Sequence, residues 1–510
     1  MNALRKIKRL KAGARANAIR PVRRVGASHG GTMANWNPQR AHRGSERLDR
    51  ERMQTRTEDI VSNDGHAASI RSTLTTNVAG PGIRPQSSLA AKKLNLTADQ
   101  ILEIESAQEE AFELWTSEAH IGGLLHFADI QALSVSTLIP FGEFCYLCRF
   151  LDEPARTRKQ RNFSFTLQDI HPLRLKTPPN ELMSPYLRDG INFDEDGEVD
   201  GYYIHTPAEI NDPESYTYYK AKAGHRRRFF HCFRSVDPEQ VRGVSILAPV
   251  IKLFRDKYDF LDYELIAQIV TASFPIAIER AIPPEGFDDP MSKDWDPRWY
   301  QNVDAGQILY TNPGETVNPI SSDRPGNNFD PFFKTVIRTL AAAAGLPYHQ
   351  VIKDFSETNY SSARAALLES WREFEVYRGW LVRHFLQPIR IMVLEEAYLR
   401  GYWKIPAGAP GFYEAMRLWT ACRWTPPPRG HIDPDKEAKA NERAIATGQK
   451  TYKEVLGEQG KDWREEFEQE AVEQNYRKKL NLPVLDPANV QTYPDEPEEQ
   501  EEEIPKTGAA

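Results

Sequence analysis

The chain has 510 residues, 40% hydrophobic and 27% charged, with a formal net charge of −7. That length allows roughly two to four domains, and the balance suits a folded core with polar ends. No apolar run reaches the roughly 18 residues of a transmembrane helix, and four cysteines are too few and scattered for a disulfide framework, pointing to a reducing compartment.

Residues 1–50 hold thirteen Lys and Arg against Glu46 and Asp49, led by Arg5, Lys6, Lys8, Arg9 and Lys11. No continuous apolar core accompanies them, so they do not read as a secretory signal. An Arg-rich start also suits an organellar transit peptide, but the basic character runs on to Arg50 without a cleavage-like break. A basic arm binds nucleic acid by neutralising phosphates, or is simply a solvated tail. Leu4, Ile7 and Leu10 among the cations also suit a membrane surface. At the other end, Asp495 to Glu503 holds seven acidic residues and no basic one. Both ends lack apolar periodicity and are expected to be mobile.

Residues 58–244 show a mixed pattern. Thr97 and Gln100 have capping-box spacing and predict a helix running to about Gln131, followed by short strand-like runs. Cys145 and Cys148 form a lone CxxC in EFCYLCRF. In a strand, residues three apart face opposite ways, which disfavours joint metal ligation and favours two buried small hydrophobes. GINFDEDGEVDGYYIH resembles a calcium loop, but Tyr203 stands where a bidentate Glu is needed, so Asp-Gly predicts a hairpin instead. His231, in FFHCFRS, reads as a structural histidine.

A long helix is expected over Leu247–Glu279, with Pro275 near its end. Residues 281–330, rich in Pro, Gly, Asn and Asp, hold one strand-like run, Gly306–Thr311, and are too long for a simple connection. Asp330 is expected to cap the next helix, with Pro331 in its first turn. Phe332, Phe333, Val336, Ile337 and Leu340 form its apolar stripe, and Gly345 and Pro347 stop it. After a loop from Tyr348 to Tyr360, Ser361 or Ser362 starts a helix reaching Arg400, about 58 Å at 1.5 Å per residue, with a kink at Pro388. Without a heptad repeat, such a helix suits a strut in a large assembly. Trp371, Phe374 and Tyr377 on it suggest packing between subunits more than a stacking platform for bases. A Trp/Pro-rich stretch then precedes charged helices over Pro434–Lys479.

Motifs of catalysis are missing. Thr447–Thr451 lacks the Walker glycine spacing, and HExxH, GxSxG and GxGxxG are absent.

Several segments together resemble the lambda-type family of tailed-phage portal proteins. HCFRSVDPEQVRGVSILAPVIKL (231–253) carries a His-x-Phe step, a Gln-x-Arg-Gly turn and a Ser-x-Leu-Ala-Pro helix start. AAAAGLPYHQVIKDFSETNYSSARAALLESWREFEVYR (341–378) carries a Gly-Leu-Pro stop, an Asp loop and Asn-Tyr-Ser-Ser-Ala-Arg. GHIDPDKEAKA and AIATGQKT follow, with echoes in NVAGPGI, FGEF and YTNPGETV. The likeness runs in order from about residue 58 to 485, while 285–303 have no counterpart.

The resemblance implies an α+β portal fold with a mixed α/β wing, a helical stem, a small α/β clip and a C-terminal helical crown. The implied divisions are a basic flexible arm (1–57), wing (58–244), stem helix (245–280), clip (281–329), second stem helix (330–346), tunnel loop (347–361), long kinked wing helix and return (362–430), crown (431–485) and acidic tail (486–510). It implies a ring, usually a dodecamer, at one capsid vertex, assembled in the host cytoplasm and carried in the virion. Double-stranded DNA passes through it. Terminase large subunit, a head–tail adaptor, and major capsid and scaffolding proteins are its implied partners, with no membrane, metal, cofactor or catalytic residue.

Lys353, Asp354, Ser356, Asn359 and Tyr360 would line the tunnel. Lys353 and Asn359 there would make weak, sequence-independent backbone contacts, or Lys353 is simply solvated or paired with Asp354 or Glu357. Lys252, Arg255, Lys334 and Arg338 fall in the stem, and Arg364, Glu369, Arg372 and Glu373 are candidates for pairing between subunits. The competing readings are a head–tail adaptor, whose chains are normally shorter, and a DNA-processing enzyme with an unrecognised site.

Overall fold

The computed structural model describes residues 46–182, 184–207, 214–272, 276–280, 315–319, 329–356, 360–427 and 434–480. The described residues from Met53 onward form one compact unit. The arm residues Arg5, Lys6, Lys8, Arg9 and Lys11 lie outside the described residues, as do the strand-like run 306–311 and the acidic tail.

The arm assigned to 1–57 is corrected at its end: Glu46–Asn63 is a helix (α1). Its later part is fixed because Gln54 and Thr57 find buried partners in the core. Asp64 accepts from His66 and Ala67 backbone N–H groups and so caps α2 (Gly65–Val78), whose Ala67, Ile70, Leu74 and Val78 are buried.

The helix expected over Thr97–Gln131 is two helices. α3 (Ala98–Thr116) opens with the expected Thr97/Gln100 capping box, and α4 (Phe127–Phe141) follows a break around Gly122 and Gly123. The end of α4 shows how distant segments are sewn together. Its last four carbonyls have no helical partner, and each receives a donor. Leu138 O takes Gly142 N (2.8 Å), Ile139 O takes Ser245 Oγ (2.7 Å), Pro140 O takes Thr57 Oγ1 (2.6 Å) and Phe141 O takes Gln54 Nε2 (2.8 Å).

β1 (Arg84–Ser87) pairs far along the chain with Cys422–Thr425. β2 (Glu143–Phe150) is the centre of an antiparallel three-stranded sheet, between β3 (Phe165–Ile170) and the strand Phe229–Phe233. Its alternation separates two cores: Phe144, Tyr146 and Cys148 face the large helical one, and Cys145 and Leu147 face a smaller one. The CxxC thus splits across the sheet as its spacing predicts. All four cysteines are free, and burial raises the Cys145, Cys148 and Cys232 thiols, the last to about 12.

The smaller core is closed by a four-stranded antiparallel sheet of Leu187–Arg188, Ile191–Phe193, Val199–Thr206 and Ser215–Lys220. The expected hairpin is its middle pair. Asp194 Oδ1 accepts from the Asp196 and Glu198 N–H groups, which closes the turn.

The helix expected to reach Glu279 ends at Ala272 (α5, Ile251–Ala272). Ile276–Arg280 is instead a strand paired with Glu315–Pro319, in keeping with the period-two placing of Ile276 and Ile278 just after a proline. α6 (Phe329–Ala343) starts before Asp330, so that residue is not the cap; it lies in the first turn and pairs with Lys334 at 3.0 Å. Ile337 and Leu340 are buried and Phe332 stays 55% exposed. The helix stops as expected, with Gly345 at φ +68°.

The loop expected from Tyr348 contains a short helix, α7 (Tyr348–Ile352). The long helix begins at Tyr360, not at a serine: α8 (Tyr360–Leu381) continues through a π turn (Val382–Leu386) into α9 (Gln387–Arg400). Pro388 lacks the N–H that would bond four residues back, and the widened π turn takes up the mismatch where a kink was expected. Phe374 and Tyr377 are buried within the chain's own core, with partly buried Trp371 packed against it. Three helices end the described chain: α10 (Pro434–Ala446), α11 (Tyr452–Glu458) and α12 (Trp463–Lys479). Arg464 ties α12 to Glu105 of α3.

Candidate functional site

The segments FGEF, HCF and QVRG, far apart in sequence, meet at one buried carboxylate. Glu143, at the start of β2, has no exposed surface. Arg242 Nε lies 3.0 and 2.9 Å from its two oxygens, and Arg242 Nη2 also donates to it. Gly243 N donates at 2.9 Å, Gln54 Nε2 at 3.2 Å, and His231 Nε2 lies 2.9 Å away. The remaining Arg242 donors reach the Leu175, Asp189 and Pro172 carbonyls at 2.9, 2.8 and 3.2 Å.

Burial alone would raise the Glu143 carboxyl, but Arg242 and His231 outweigh it and hold it well below the usual carboxylate range. The backbones also touch here: a Cβ on Gly142 would lie 2.2 Å from the Val244 carbonyl carbon, and one on Gly243 would lie 2.2 Å from Gly142 O. His231 is therefore structural, as its sequence context predicts. Sequence reasoning missed Glu143 and Arg242 as partners, although both stood inside segments it singled out.

The candidate tunnel loop is described only in part. Lys353 is exposed in the left-handed region (φ +60°), and its ammonium donates to Thr73 Oγ1 at 2.9 Å. Asp354 turns inward on its own loop: it accepts from Ser356 N at 2.9 Å, and that bond lowers its carboxyl. His349 Nδ1 lies 3.1 Å from Asp354 O. Asn359 falls outside the described residues and Tyr360 is the first residue of α8.

On α5, Lys252 is exposed and Arg255 pairs with Asp259 at 3.1 Å. Arg338 rests over the Tyr348 ring, 5.4 Å from its centroid. Arg364 and Glu373 are exposed, and Arg372 pairs with Glu369 in its own helix at 3.1 Å, both side chains open to solvent. Among the described residues, no group of three or more His, Cys, Asp or Glu is placed to hold a metal ion.

α5 carries one feature that sequence alone did not single out. Tyr258, Tyr263, Leu265, Ile266 and Ile269 are 48–68% exposed along a single helix.

The family model described as "Phage portal protein, lambda family" matches residues 29–378, and the chain belongs to that family. Its members are structural proteins, not enzymes. Portal protein B of Escherichia phage lambda is 24% identical over 488 residues, covering 90% of each chain. The portal protein of Escherichia phage N15 is 23% identical over 486 residues, again 90% of each. Among solved structures, the chain is similar to one titled the neck of a native GTA particle computed with C12 symmetry. That one is 14% identical and covers 89% of this chain and 98% of that chain, with a TM-score of 0.41.

Proposed function

We propose that the chain is the subunit of a closed ring at one vertex of a tailed-phage capsid, through which double-stranded DNA enters and leaves. α5 and α6 form its stem, the segment 281–329 its clip, and residues 347–361 line the opening. The helices over 434–479 form the crown, and residues 58–244 with α8 and α9 the wing. Terminase large subunit, a head–tail adaptor, and major capsid and scaffolding proteins are the partners we assign to its surfaces.

The exposed apolar run on α5 carries the oligomeric part of this reading. Leu265, Ile266 and Ile269 are 48–60% exposed, which forgoes about half of the roughly 1.5–3 kcal/mol per side chain that full burial supplies. Neighbouring copies of α5 around an axis would cover them. Electron-microscope imaging with a solution mass tests this. Twelve copies of the 58.3 kDa chain give a ring of about 700 kDa with a central hole; a particle that stays monomeric at every salt and concentration, even with scaffolding protein, would overturn it.

DNA must slide through such a ring, so its contacts have to be weak, since each released counterion makes a phosphate contact more adhesive. The stem cations Arg255 and Lys334 are already paired within their helices, and we assign the backbone contact in the tunnel loop to exposed Lys353, with exposed Lys252 the corresponding cation of the stem. Replacing Lys353 by Glu should reduce the DNA packaged or retained per particle, and unchanged packaging and retention would remove the loop from that role. The basic arm is assigned to DNA or to acidic capsid partners. Removing residues 1–45 should leave rings intact and weaken that binding.

A further inference from the structure

Helix α2 meets three separate elements around the proposed opening, and at each meeting a cation from the other element is bonded to it. At its N-terminus the side chain of Lys257 of α5, 2% exposed, is bonded to the Asp64 carboxylate, and its ammonium lies 3.0 Å from His66 Nδ1. His66 stands edge-on against Phe333 of α6, with centroids 6.1 Å apart. In the middle of α2, Thr73, itself buried, accepts from Lys353 of the tunnel loop. At its C-terminal end, Asn77 O accepts from the Arg378 guanidinium of α8 (Nε at 3.2 Å).

The electrostatics suit a helix used this way. Asp64 supplies negative charge at the N-terminus, and Arg378 positive charge at the C-terminus, both favourable to the helix dipole. Burial lowers the Lys257 pKa while Asp64 raises it, so the ammonium depends on its partner. Moving α5 without α2 would strand a charge in the interior. Ala67, Ile70, Leu74 and Val78 meanwhile hold α2 in the core. The stretch from Asp64 to Asn77 spans about 20 Å at 1.5 Å per residue, and one rigid rod of that length therefore carries all three attachments.

We propose that α2 is a coupling strut: held to the stem by Asp64–Lys257 and to the tunnel loop by Thr73–Lys353, it passes a displacement of either one to the other. The reading of 347–361 as a tunnel loop gives this coupling its use, but the coupling belongs to the fold and is tested without DNA. Thr73 is then a positioning residue acting through Lys353.

The test is hydrogen exchange by mass spectrometry on the full chain in its assembled form, following peptides over 349–356 and 251–262. Thr73→Val removes the acceptor at nearly constant shape. It should speed exchange in 349–356 by about fivefold, as expected for losing one hydrogen bond, and in 251–262 by about twofold. Thr73→Ser, which keeps the hydroxyl, should restore both. The double change Asp64→Asn with Lys257→Met keeps the cap and removes the buried pair. It should speed exchange in 349–356, and added to Thr73→Val it should give less than the sum. If each change alters only its own end and the combined variant is additive, the strut is overturned. If exchange is coupled but Lys353→Glu leaves packaging untouched, the tunnel reading fails and the strut stands.

Discussion

Glu143 and Glu395 are the same chemical unit in two settings. Each carboxylate is almost wholly inaccessible, each has an arginine on both oxygens or across its fork, and each has a histidine nitrogen within 2.9 Å. Glu395 takes both Arg226 nitrogens at 3.0 Å, with His225 at 2.8 Å and Tyr413 OH at 3.0 Å. The difference lies in the partners: the Arg242 and His231 side chains are 3% exposed, while those of Arg226 and His225 are 37% and 52% exposed. At the rim, water can take over from a lost cation. At the hub it cannot, so one arrangement holds three distant segments together and the other fastens a loop to α9.

Arg242→Met should therefore cost about 3–5 kcal/mol, the penalty of an uncompensated buried charge, read as a lower urea midpoint. Arg226→Met should cost roughly 1–2 kcal/mol, since Tyr413 and His225 still donate. Equal costs would show that exposure of the cation is not what separates the sites. Acid sharpens the contrast further. Both carboxyls are lowered from their usual value, Glu143 the more strongly. Each contributes stability that is complete above the unfolded value of roughly 4.3 and is lost as pH falls through its folded value. Glu395 should give up its share first and Glu143 at more acidic pH, and Glu143→Gln should flatten the lower part of the titration of urea midpoints. The smallest effect is expected at the open pair Glu369–Arg372, where Arg372→Ala should leave the midpoint of the isolated subunit unchanged.

What could be read in advance was what local chemistry decides. The Thr97 box, the Asp194 turn, the split of Cys145 from Cys148 and the stop at Gly345 each depend on a few neighbouring residues. Helix edges were harder. Ile276–Arg280 needs Glu315–Pro319 before its alternation becomes a strand, and Glu46–Asn63 is anchored by carbonyls nearly ninety residues away. The hub was the least accessible of all. Resemblance singled out His231, Arg242 and Gly243, but nothing in their spacing says that they converge on Glu143, and Lys353 gave no sign of its bond to Thr73. Pairing across such separations is set by topology.

The touching backbones at Gly142 and Gly243 limit how this chain can vary. Where two main chains meet with no room for a single carbon, a substitution on one strand cannot be offset by trimming a side chain on the other, because there is none to trim. Most core positions can drift in pairs, one growing as its neighbour shrinks. This crossing has no such route. A lineage carrying this fold can repack around the point but must keep the point itself, which makes it a fixed landmark for aligning distant relatives.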